Sequence, residues 1–379
     1  MVTSMKKRLI LLSVIFLGML PVLAQAKNSV RVAILQNNRS FSLKIKGEYA
    51  VSDYRNNKII WQGRDLKTTV VASGGDILLA GRLIKSGKLA LSARDEDSIL
   101  IDGRTFKGDI IIVKGKANTL TAINSIALED YVKGILYQES SHYWPMEALK
   151  VQAIVSRTYA VYMLQVNKDR DFDLTNTVYS QLYGGSASER YRTNKAVEET
   201  QGLILTYRQK VFPAYFHASC GGHTEDASVL WDINIRPLKG VVCGFCKDSP
   251  HYKWHYVVSL LDIQAKLREA GYRTGAINDI LLVDRDISGR VKELKLVGSI
   301  ISLKIPAKTF REIIGPDILR SANFTVLVTG GDAVFEGFGW GHGVGLCQWG
   351  AYFMAKQGLD AEKILAYYYP GSDVTHIGF

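Results

Sequence analysis

Residues 27 to about 122 consist of short apolar or alternating segments separated by turn residues. Branched and aromatic side chains cluster at 30–35, 59–61 and 110–113, with turn pairs of Gly or Asn between such segments. Turns spaced about 8–12 residues apart are typical of short antiparallel strands. Residues 27–122 are therefore predicted to form an N-terminal antiparallel β module, and no pattern in them indicates catalytic chemistry.

The hydrophobic period becomes helical from residue 123 onwards. Val132 lies in an apolar stripe, and a step of seven residues along that stripe reaches Glu139, at the end of the predicted helix. A second helix is predicted from Pro145, whose missing N–H is tolerated in a first turn, to about Val166. Both helices are expected to bury their apolar stripes, which makes Glu139 the exceptional residue.

The rest of the chain predicts a mixed core with one insertion. Helices and short strands alternate through residues 123–258, an α/β stretch occupies 259–336, and a glycine-rich run followed by helices occupies 337–379. The predicted fold class is α+β. In it, the β module precedes a mixed helix-and-sheet catalytic core, formed by 123–258 and completed by 337–379, which the α/β insertion interrupts.

The N-terminus has the pattern of a secretory signal peptide. Residues 6–8 are basic, residues 9–23 are apolar, and Ala-Gln-Ala at 24–26 supplies small residues at the cleavage positions. An apolar run of about 15 residues is short for a membrane span, which needs about 20. Residues 1–26 are therefore predicted to be the signal peptide of an exported protein of the periplasm or cell envelope. An uncleaved anchor is the alternative, and membrane contact is expected only through this segment.

Composition and charge narrow the class of partner. Of 379 residues, 47% are hydrophobic and 22% are charged, which excludes intrinsic disorder as the main state. The formal net charge is +11, and +8 remains once the three basic residues of the N-terminal segment are removed. Because Lys and Arg are spread along the chain, we expect weak affinity for an anionic envelope polymer and no nucleic-acid partner.

Glu139 is the first candidate for chemistry. Burial of a carboxyl group on an apolar stripe disfavours its ionised form and raises its pKa. A carboxylic acid that stays protonated near neutral pH can donate a proton to a glycosidic oxygen. The alternative is a Glu at a helix end that turns to solvent or pairs with Arg157 or Lys150.

Three cysteines and a histidine form the second candidate. Cys220 and His223 have C-x2-H spacing, and after nineteen further residues Cys243 and Cys246 have C-x2-C spacing. Two such pairs are typical of a closed structural zinc site. Since exported proteins also form disulfides, a disulfide within the cluster is the alternative. Either a zinc ion or a disulfide would cross-link this loop.

Three other residues bear on this cluster. His217 and His251 are nearby alternatives as metal ligands, while Cys347 is expected to be a buried small residue.

The glycine-rich run at 339–345 is the third candidate. It lacks the Lys-Ser/Thr ending of a P-loop and the spacing of a dinucleotide-binding fingerprint. Closely spaced glycines let a backbone approach a ligand or turn sharply. The run is therefore predicted to present His342 and Gln348, and a core histidine is the alternative for His342.

Taken together, these segments resemble the stage II sporulation protein D family, which includes amidase-enhancer proteins. The resemblance covers about 100 to 379 and depends on several motifs in one order, which is more specific than any single motif. The motifs are Ala-Leu-Glu-Asp-Tyr-Val-Lys-Gly at 127–134 with Glu139, Trp-Pro-Met-Glu-Ala-Leu-Lys-Val-Gln-Ala at 144–153, Ser-Arg-Thr-Tyr-Ala at 156–160, Gln-x-Tyr-Gly-Gly at 181–185, Tyr-Phe-His-Ala-Ser-x-Gly-Gly at 215–222, Gly-Trp-Gly-His-Gly-Val-Gly-x-x-Gln-x-Gly-Ala at 339–351 and Tyr-Tyr-Tyr-Pro-Gly at 367–371.

The resemblance implies a peptidoglycan lytic transglycosylase, which cleaves the β-1,4 bond after N-acetylmuramic acid without water and leaves a 1,6-anhydro sugar. Glu139 matches the family's catalytic Glu, which would act as general acid and then as general base. A hydrolase would usually show a carboxylate pair instead. By the same matching, nine residues are expected to line the glycan groove: Lys150, Arg157, Tyr159, Gln181, Tyr183, His217, Ser219, His342 and Gln348.

The chain departs from the family pattern in two places. Some relatives place metal ligands just before the Gln-x-Tyr motif, where this chain has Leu174, Tyr179 and Ser180. Its structural zinc is therefore expected at the 220–246 cluster instead. The family also usually has Ser at the position of Cys347.

The expected function is that of an exported lytic transglycosylase acting on peptidoglycan glycan strands, with structural zinc and no cofactor for catalysis. The alternative is a non-catalytic wall-binding enhancer of an N-acetylmuramoyl-L-alanine amidase. A purely structural envelope protein would leave Glu139, His217 and His342 unexplained.

Overall fold

The computed structural model describes residues 29–177 and 180–377. The predicted signal peptide, residues 1–26, lies outside the described residues. Within the described ranges, no helix is both long enough and apolar enough to cross a membrane.

Ten strands build an N-terminal antiparallel sheet, as the spacing of turns predicted. Strands β1 to β10 are Ser29–Asn38, Ser40–Asp53, Ile59–Ser73, Asp76–Leu79, Arg82–Ile84, Lys88–Ala93, Ile99–Ile101, Arg104–Phe106, Asp109–Lys114 and Leu120–Ala127. They pair in the order β1-β10-β9-β6-β2-β3-β4-β5, while β7 pairs with β2 and β8. A short strand β11, Leu174–Thr175, adds to β1 in parallel.

Two helices follow the sheet. Helix α1 (Leu128–Glu139) ends on the predicted carboxylate, and α2 (Met146–Val166) begins directly after Pro145. The helical period was predicted from residue 123, but β10 continues to Ala127 because its residues pair in register with both β1 and β9. Cross-strand hydrogen bonds therefore override the local helical pattern over these residues.

The remaining elements complete a mixed α+β fold, which confirms the predicted fold class. They are α3 Tyr191–Glu199, β12 Leu203–Tyr207, β13 Lys210–Val211, β14 Phe216–His217, α4 Ala227–Trp231, β15 Lys253–Ser259, α5 Leu260–Glu269, β16 Ile277–Arg285, β17 Val291–Gly298, β18 Leu303–Pro306, α6 Ala307–Ile314, β19 Phe324–Thr329, β20 Asp332–Phe338, β21 Leu346–Cys347, α7 Gln348–Lys356, α8 Ala361–Tyr368 and β22 Asp373–His376. Short 3-10 turns occupy Gly185–Ser188, Arg236–Leu238 and Phe245–Asp248.

Helix α2 lies between two hydrophobic cores. Leu149 and Ala153 pack with α1 and the N-terminal sheet. Val151 and Val155 belong to a second core that contains side chains of α7 and α8 and all four cysteines of the chain. Since both faces of α2 are covered, this helix joins the N-terminal and C-terminal parts of the fold.

The insertion has a core of its own, which includes Phe310, Phe324 and Phe335. It leaves the main fold through β15 and returns through β20, and these two strands pair antiparallel along their length. The ends of the insertion therefore meet at one place, as is usual for inserted domains.

A buried ion pair joins the helices. Arg157 on α2 is 0% exposed and donates from Nε and Nη2 to the Glu129 carboxylate at 2.8 and 2.7 Å. It also donates to the carbonyls of Val197 and Leu203. The alternative in which Glu139 pairs with Arg157 is therefore wrong, because the charge of Arg157 is satisfied at the opposite end of α1, and Arg157 lies in the core and not at an exposed groove surface.

We predict that Arg157→Met destabilises the fold by about 3–5 kcal/mol, since it leaves a carboxylate and two carbonyls without their buried partner. Urea unfolding followed by circular dichroism measures this change. Lys363→Met is the control, because its ion pair with Asp360 is exposed on both sides and its loss should barely move the midpoint. Equal effects of the two substitutions would contradict the structural role of Arg157.

Candidate active site

Glu139 is held by the loop that follows the first two helices. Its Oε1 accepts a hydrogen bond of 2.9 Å from the backbone N–H of Leu182. The neighbouring Tyr183 is buried and donates from its hydroxyl to Asn124 Oδ1 at 2.7 Å. The Tyr183 ring lies against Gly134 of α1, where any Cβ would stand 2.5 Å from the ring. A glycine at this position therefore lets the loop approach the carboxylate.

Glu139 is half-buried, and desolvation of its carboxyl group by the surrounding protein raises its pKa to about 7, against a small opposing contribution from the Leu182 hydrogen bond. The groups that set this pKa include no second carboxylate. Neither Arg157 nor Lys150 pairs with Glu139, since Lys150 contacts Glu147 and Glu199 instead. The side chain is therefore an acid that can hold its proton near neutral pH.

Gln348 secures the backbone at the same point. This buried first residue of α7 donates from Nε2 to the carbonyl oxygen of Glu139 at 3.0 Å and to Gln152 Oε1 at 3.2 Å. The last carbonyl groups of a helix have no partner within it. The Gln348 amide therefore satisfies one of them and fixes where α1 ends.

A buried polar network lies beneath Glu139. Tyr131 donates from its hydroxyl to Gln181 Oε1 at 2.8 Å, and Gln181 donates to the carbonyl of Ser156 at 3.3 Å. Burial, and next the Glu139 carboxylate, raises the pKa of Tyr131 well above its ordinary value. Both side chains are satisfied, so the network gives α1, α2 and the 181–185 loop one fixed arrangement.

Two histidines pack together on the glycine-rich run. His217 donates from Nδ1 to the Val344 carbonyl at 3.1 Å, and the Val344 N–H donates to His342 Nδ1 at 3.1 Å. Burial lowers the pKa of His217, and burial followed by the nearby Arg311 guanidinium lowers the pKa of His342 to about 3. Both rings are therefore neutral, and the buried His217 Nε2 has no hydrogen-bond partner within the described structure.

Aromatic rings link the histidines to the helices. His342 contacts Tyr215 and Trp231 with centroid distances of 5.9 and 5.1 Å, and Tyr215 contacts Tyr159 of α2 at 5.9 Å. Tyr215 and Trp231 stack at 4.4 Å.

Most of the residues expected to line the glycan groove are buried inside the protein. Lys150 and His342 keep exposed surface, whereas seven others are buried: Arg157, Tyr159, Gln181, Tyr183, His217, Ser219 and Gln348. Their shared feature is contact with α1, α2 or the two histidine-bearing segments.

Half-buried aromatic residues near Glu139 were missed at the sequence level. Trp144 lies five residues after Glu139, and its ring contacts those of Trp349 and Tyr352 at 5.3 and 5.2 Å. Trp349 directly follows Gln348 in the glycine-rich motif, and that adjacency was the available signal.

The cysteine centre has a different fourth member from the one predicted. The sulfurs of Cys220, Cys243, Cys246 and Cys347 all lie within 4.8 Å of one another, and all four residues are buried and free of disulfides. His223 is outside this group, and its Nδ1 contacts the Thr224 carbonyl instead. The assignment of His223 is therefore corrected, and Cys347 is more than a small buried residue.

These donors fit a tetrahedral thiolate-bound ion. A Zn–S bond of about 2.3 Å requires sulfurs about 3.8 Å apart, and Cys220 and Cys246 lie at 3.5 Å. Hydrogen bonds with Cys220, and next with Cys243 and Cys347, lower the pKa of Cys246, whereas burial raises the pKa of Cys347. The N–H groups of Cys220 and Gly350 donate to Cys347 Sγ at 3.3 Å, which supports negative charge on that sulfur.

Arg290 is a further residue that sequence reasoning missed. It follows the Ser-Gly turn of the insertion, is buried, and donates to the carbonyls of Cys220 and His223 at 2.8 and 2.9 Å. Its guanidinium packs on Gly343, where a Cβ would stand 2.4 Å away. The insertion thus joins the cysteine-bearing loop to the glycine-rich run.

Comparison with known proteins finds two family models, which match separate parts of the chain. A model described as Stage II sporulation protein matches residues 116–207, which include α1, α2 and the 181–185 loop. A model described as a domain of unknown function matches residues 239–345, which include the insertion.

Three relatives show how far the similarity extends. An uncharacterized protein of Brachyspira hyodysenteriae is 31% identical over 350 residues, 92% of this chain and 93% of that protein. Stage II sporulation protein D of Bacillus amyloliquefaciens is 32% identical over 272 residues, 67% of this chain and 76% of that protein. An amidase enhancer of Bacillus subtilis is 25% identical over 292 residues, 64% of this chain and 40% of that protein. By these matches the chain belongs to the stage II sporulation protein D family.

Proposed function

We propose that the protein is an exported peptidoglycan lytic transglycosylase that cleaves the β-1,4 bond between N-acetylmuramic acid and N-acetylglucosamine, with Glu139 as general acid and then general base. The observation that carries the proposal is the environment of Glu139. Its carboxyl group has a pKa raised to about 7, accepts one backbone hydrogen bond, and has no second carboxylate among the groups that set that pKa.

One carboxyl group suffices for this reaction. Protonated Glu139 gives its proton to the glycosidic oxygen as the bond from that oxygen to the muramyl anomeric carbon breaks. The resulting carboxylate takes the proton of the muramyl 6-hydroxyl, and that oxygen bonds to the anomeric carbon to close the 1,6-anhydro ring. No water is consumed and Glu139 ends protonated, whereas an inverting hydrolase needs a second carboxylate about 6.5–9.5 Å away.

The surroundings of Glu139 suit a polysaccharide. The half-buried rings of Trp144, Trp349 and Tyr352 offer apolar faces for pyranose rings beside polar backbone groups. The sporulation and amidase-enhancer names of the relatives support a role connected with the cell wall. The positive charge supports contact with an anionic envelope, and the signal-like N-terminus supports export to the periplasm or cell envelope.

A second candidate function is enhancement of a partner cell-wall amidase without chemistry of its own. The similarity to the amidase enhancer of Bacillus subtilis favours it. The two functions differ in whether the protein alone produces anhydro ends.

We also propose that Cys220, Cys243, Cys246 and Cys347 hold one structural zinc ion. Bound zinc would cross-link three chain segments and would take no part in the glycosidic reaction. A disulfide among these cysteines is the alternative in an exported protein.

Glu139→Gln should lower transglycosylase turnover at least about 10³-fold, because one group serves both proton transfers. Mass spectrometry of glycan strands and muropeptides counts anhydro-muramyl ends. Glu362→Gln is the matched control, since that glutamate lies on the exposed side of α8 and should leave turnover unchanged.

Three results would each contradict the proposed transglycosylase function of Glu139. Reducing ends in place of anhydro ends would indicate hydrolysis. Equal activity of wild type and Glu139→Gln would exclude Glu139 as the acid. No cleavage by either protein, with stimulation of a purified amidase by both, would establish the enhancer function.

The pH dependence follows from the raised pKa. A general acid must be protonated, so kcat/KM should stay level below about pH 6 and fall about tenfold per unit above about pH 7. The same shift affects stability. Between the ordinary value of 4.5 and about 7 the native state retains a proton that the unfolded state loses, so the free energy of unfolding falls as the pH rises.

Glu139→Gln should remove this contribution, about 1–3 kcal/mol across that range, and make the variant more stable than wild type at pH 8. Urea unfolding at pH 5 and pH 8 measures it. A wild type whose stability rises with pH relative to the variant would contradict the burial of this carboxyl group.

Zinc content distinguishes the observed ligand set from the one the spacing predicted. Elemental analysis should find about one zinc per chain. Cys347→Ser should weaken zinc binding at least about tenfold, and His223→Ala should retain it. Loss of zinc from His223→Ala but not from Cys347→Ser would instead support His223 as the fourth ligand. Fewer than four titratable thiols after chelation would indicate a disulfide.

A further inference from the structure

The place of Cys347 in the chain connects the cysteine centre to the candidate active site. We infer that this centre positions Glu139 through Gln348, so that loss of the metal releases the end of α1 and lowers turnover. Gln348 is then a positioning residue. The inference rests on the proposed function for its effect on turnover, although its structural part can be measured without it.

The first step is how Cys347 is fixed in position. Its backbone ends β21, which pairs in parallel with β14, so that Cys347 lies beside His217. Its Sγ accepts from the N–H groups of Cys220 and Gly350, and the second of these bonds caps the first turn of α7. The sulfur therefore determines where α7 begins.

The second step is the contact made by the next residue. Gln348 is 7% exposed, and both hydrogen bonds of its Nε2 end on α1 and α2, at the Glu139 carbonyl and Gln152. The chain turns to extended backbone at Ser140, directly after Glu139. Because no residue intervenes between Cys347 and Gln348, a displacement of the sulfur passes directly to the amide that holds Glu139.

The third step concerns what happens when the metal leaves. A bound ion would join all four buried sulfurs, which lie within 4.8 Å of one another, and its removal takes away that common link. Three of them belong to residues 220–246 and the fourth is Cys347, 127 residues after Cys220. Loss of the metal therefore weakens the connection between residues 220–246 and Cys347. Cys347 directly precedes Gln348 in the chain.

Hydrogen–deuterium exchange compares the zinc-loaded and chelator-treated protein. We expect at least a tenfold faster exchange in peptides covering residues 136–144 and 348–352 after chelation, with the β6 and β9 peptides unchanged. Unchanged protection at 136–144, or a uniform loss over the whole chain, would overturn the inference. These outcomes do not depend on whether the protein cleaves glycan.

Gln348→Met is the matched variant, because it keeps the side-chain volume and removes the amide. It should bind zinc as the wild type does and show fast exchange at 136–144 before chelation, with no further change there after it. Cys243→Ser changes a ligand of the 220–246 segment and leaves Cys347 and Gln348 intact, so it should reproduce the effect of chelation in part, in case full removal unfolds the protein.

Turnover supplies the second readout. In the wild type, zinc removal should lower kcat at least tenfold with little change in KM, and in Gln348→Met it should have little further effect. Additive losses in the two proteins would mean that the metal does not act through Gln348. A wild type without any turnover, but with the expected exchange pattern, would count against the transglycosylase and not against the link.

Discussion

The carboxyl group of Glu139 is held at the end of α1 by hydrogen bonds that come from distant parts of the chain. The side chain accepts from Leu182, 43 residues later, and the carbonyl accepts from Gln348, 209 residues later. Neither partner carries charge, so the carboxyl group is fixed in position without being stabilised as an anion by a cation. Burial then keeps the pKa near neutrality. The chain neighbours of these two partners, Tyr183 and Cys347, are themselves held by buried contacts.

The position of Glu139 could be predicted because a helical period is local. A step of seven residues along one stripe is enough to identify a carboxylate on an apolar face, and the structure has α1 end on that residue. The role of Cys347 could not be predicted in this way. It meets Cys220 only because β14 and β21 pair, and spacing within a motif says nothing about a partner 127 residues away. His223 had the right spacing but its ring is turned to the Thr224 carbonyl.

Arg157 illustrates a further limit of sequence patterns. A motif indicates that an arginine is present, but its partner depends on which helix packs against it. Here the partner is Glu129 at the start of α1, about 15 Å along the helix from Glu139. The insertion, which appeared from sequence to be a separate α/β element, likewise contributes Arg290 to the cysteine-bearing loop. Such buried charges are found by burial and geometry and not by composition.

The double burial of α2 has a consequence for how the chain folds. Its face with Val151 and Val155 is covered by α7 and α8, which lie roughly 200 residues further along the chain. A chain that emerges N-terminus first, from the ribosome or from an export channel, can complete its sheet before these helices arrive but must leave an apolar strip of α2 open to water. Chains interrupted at that stage are prone to aggregate. Contact with a holding chaperone over this interval would protect that strip.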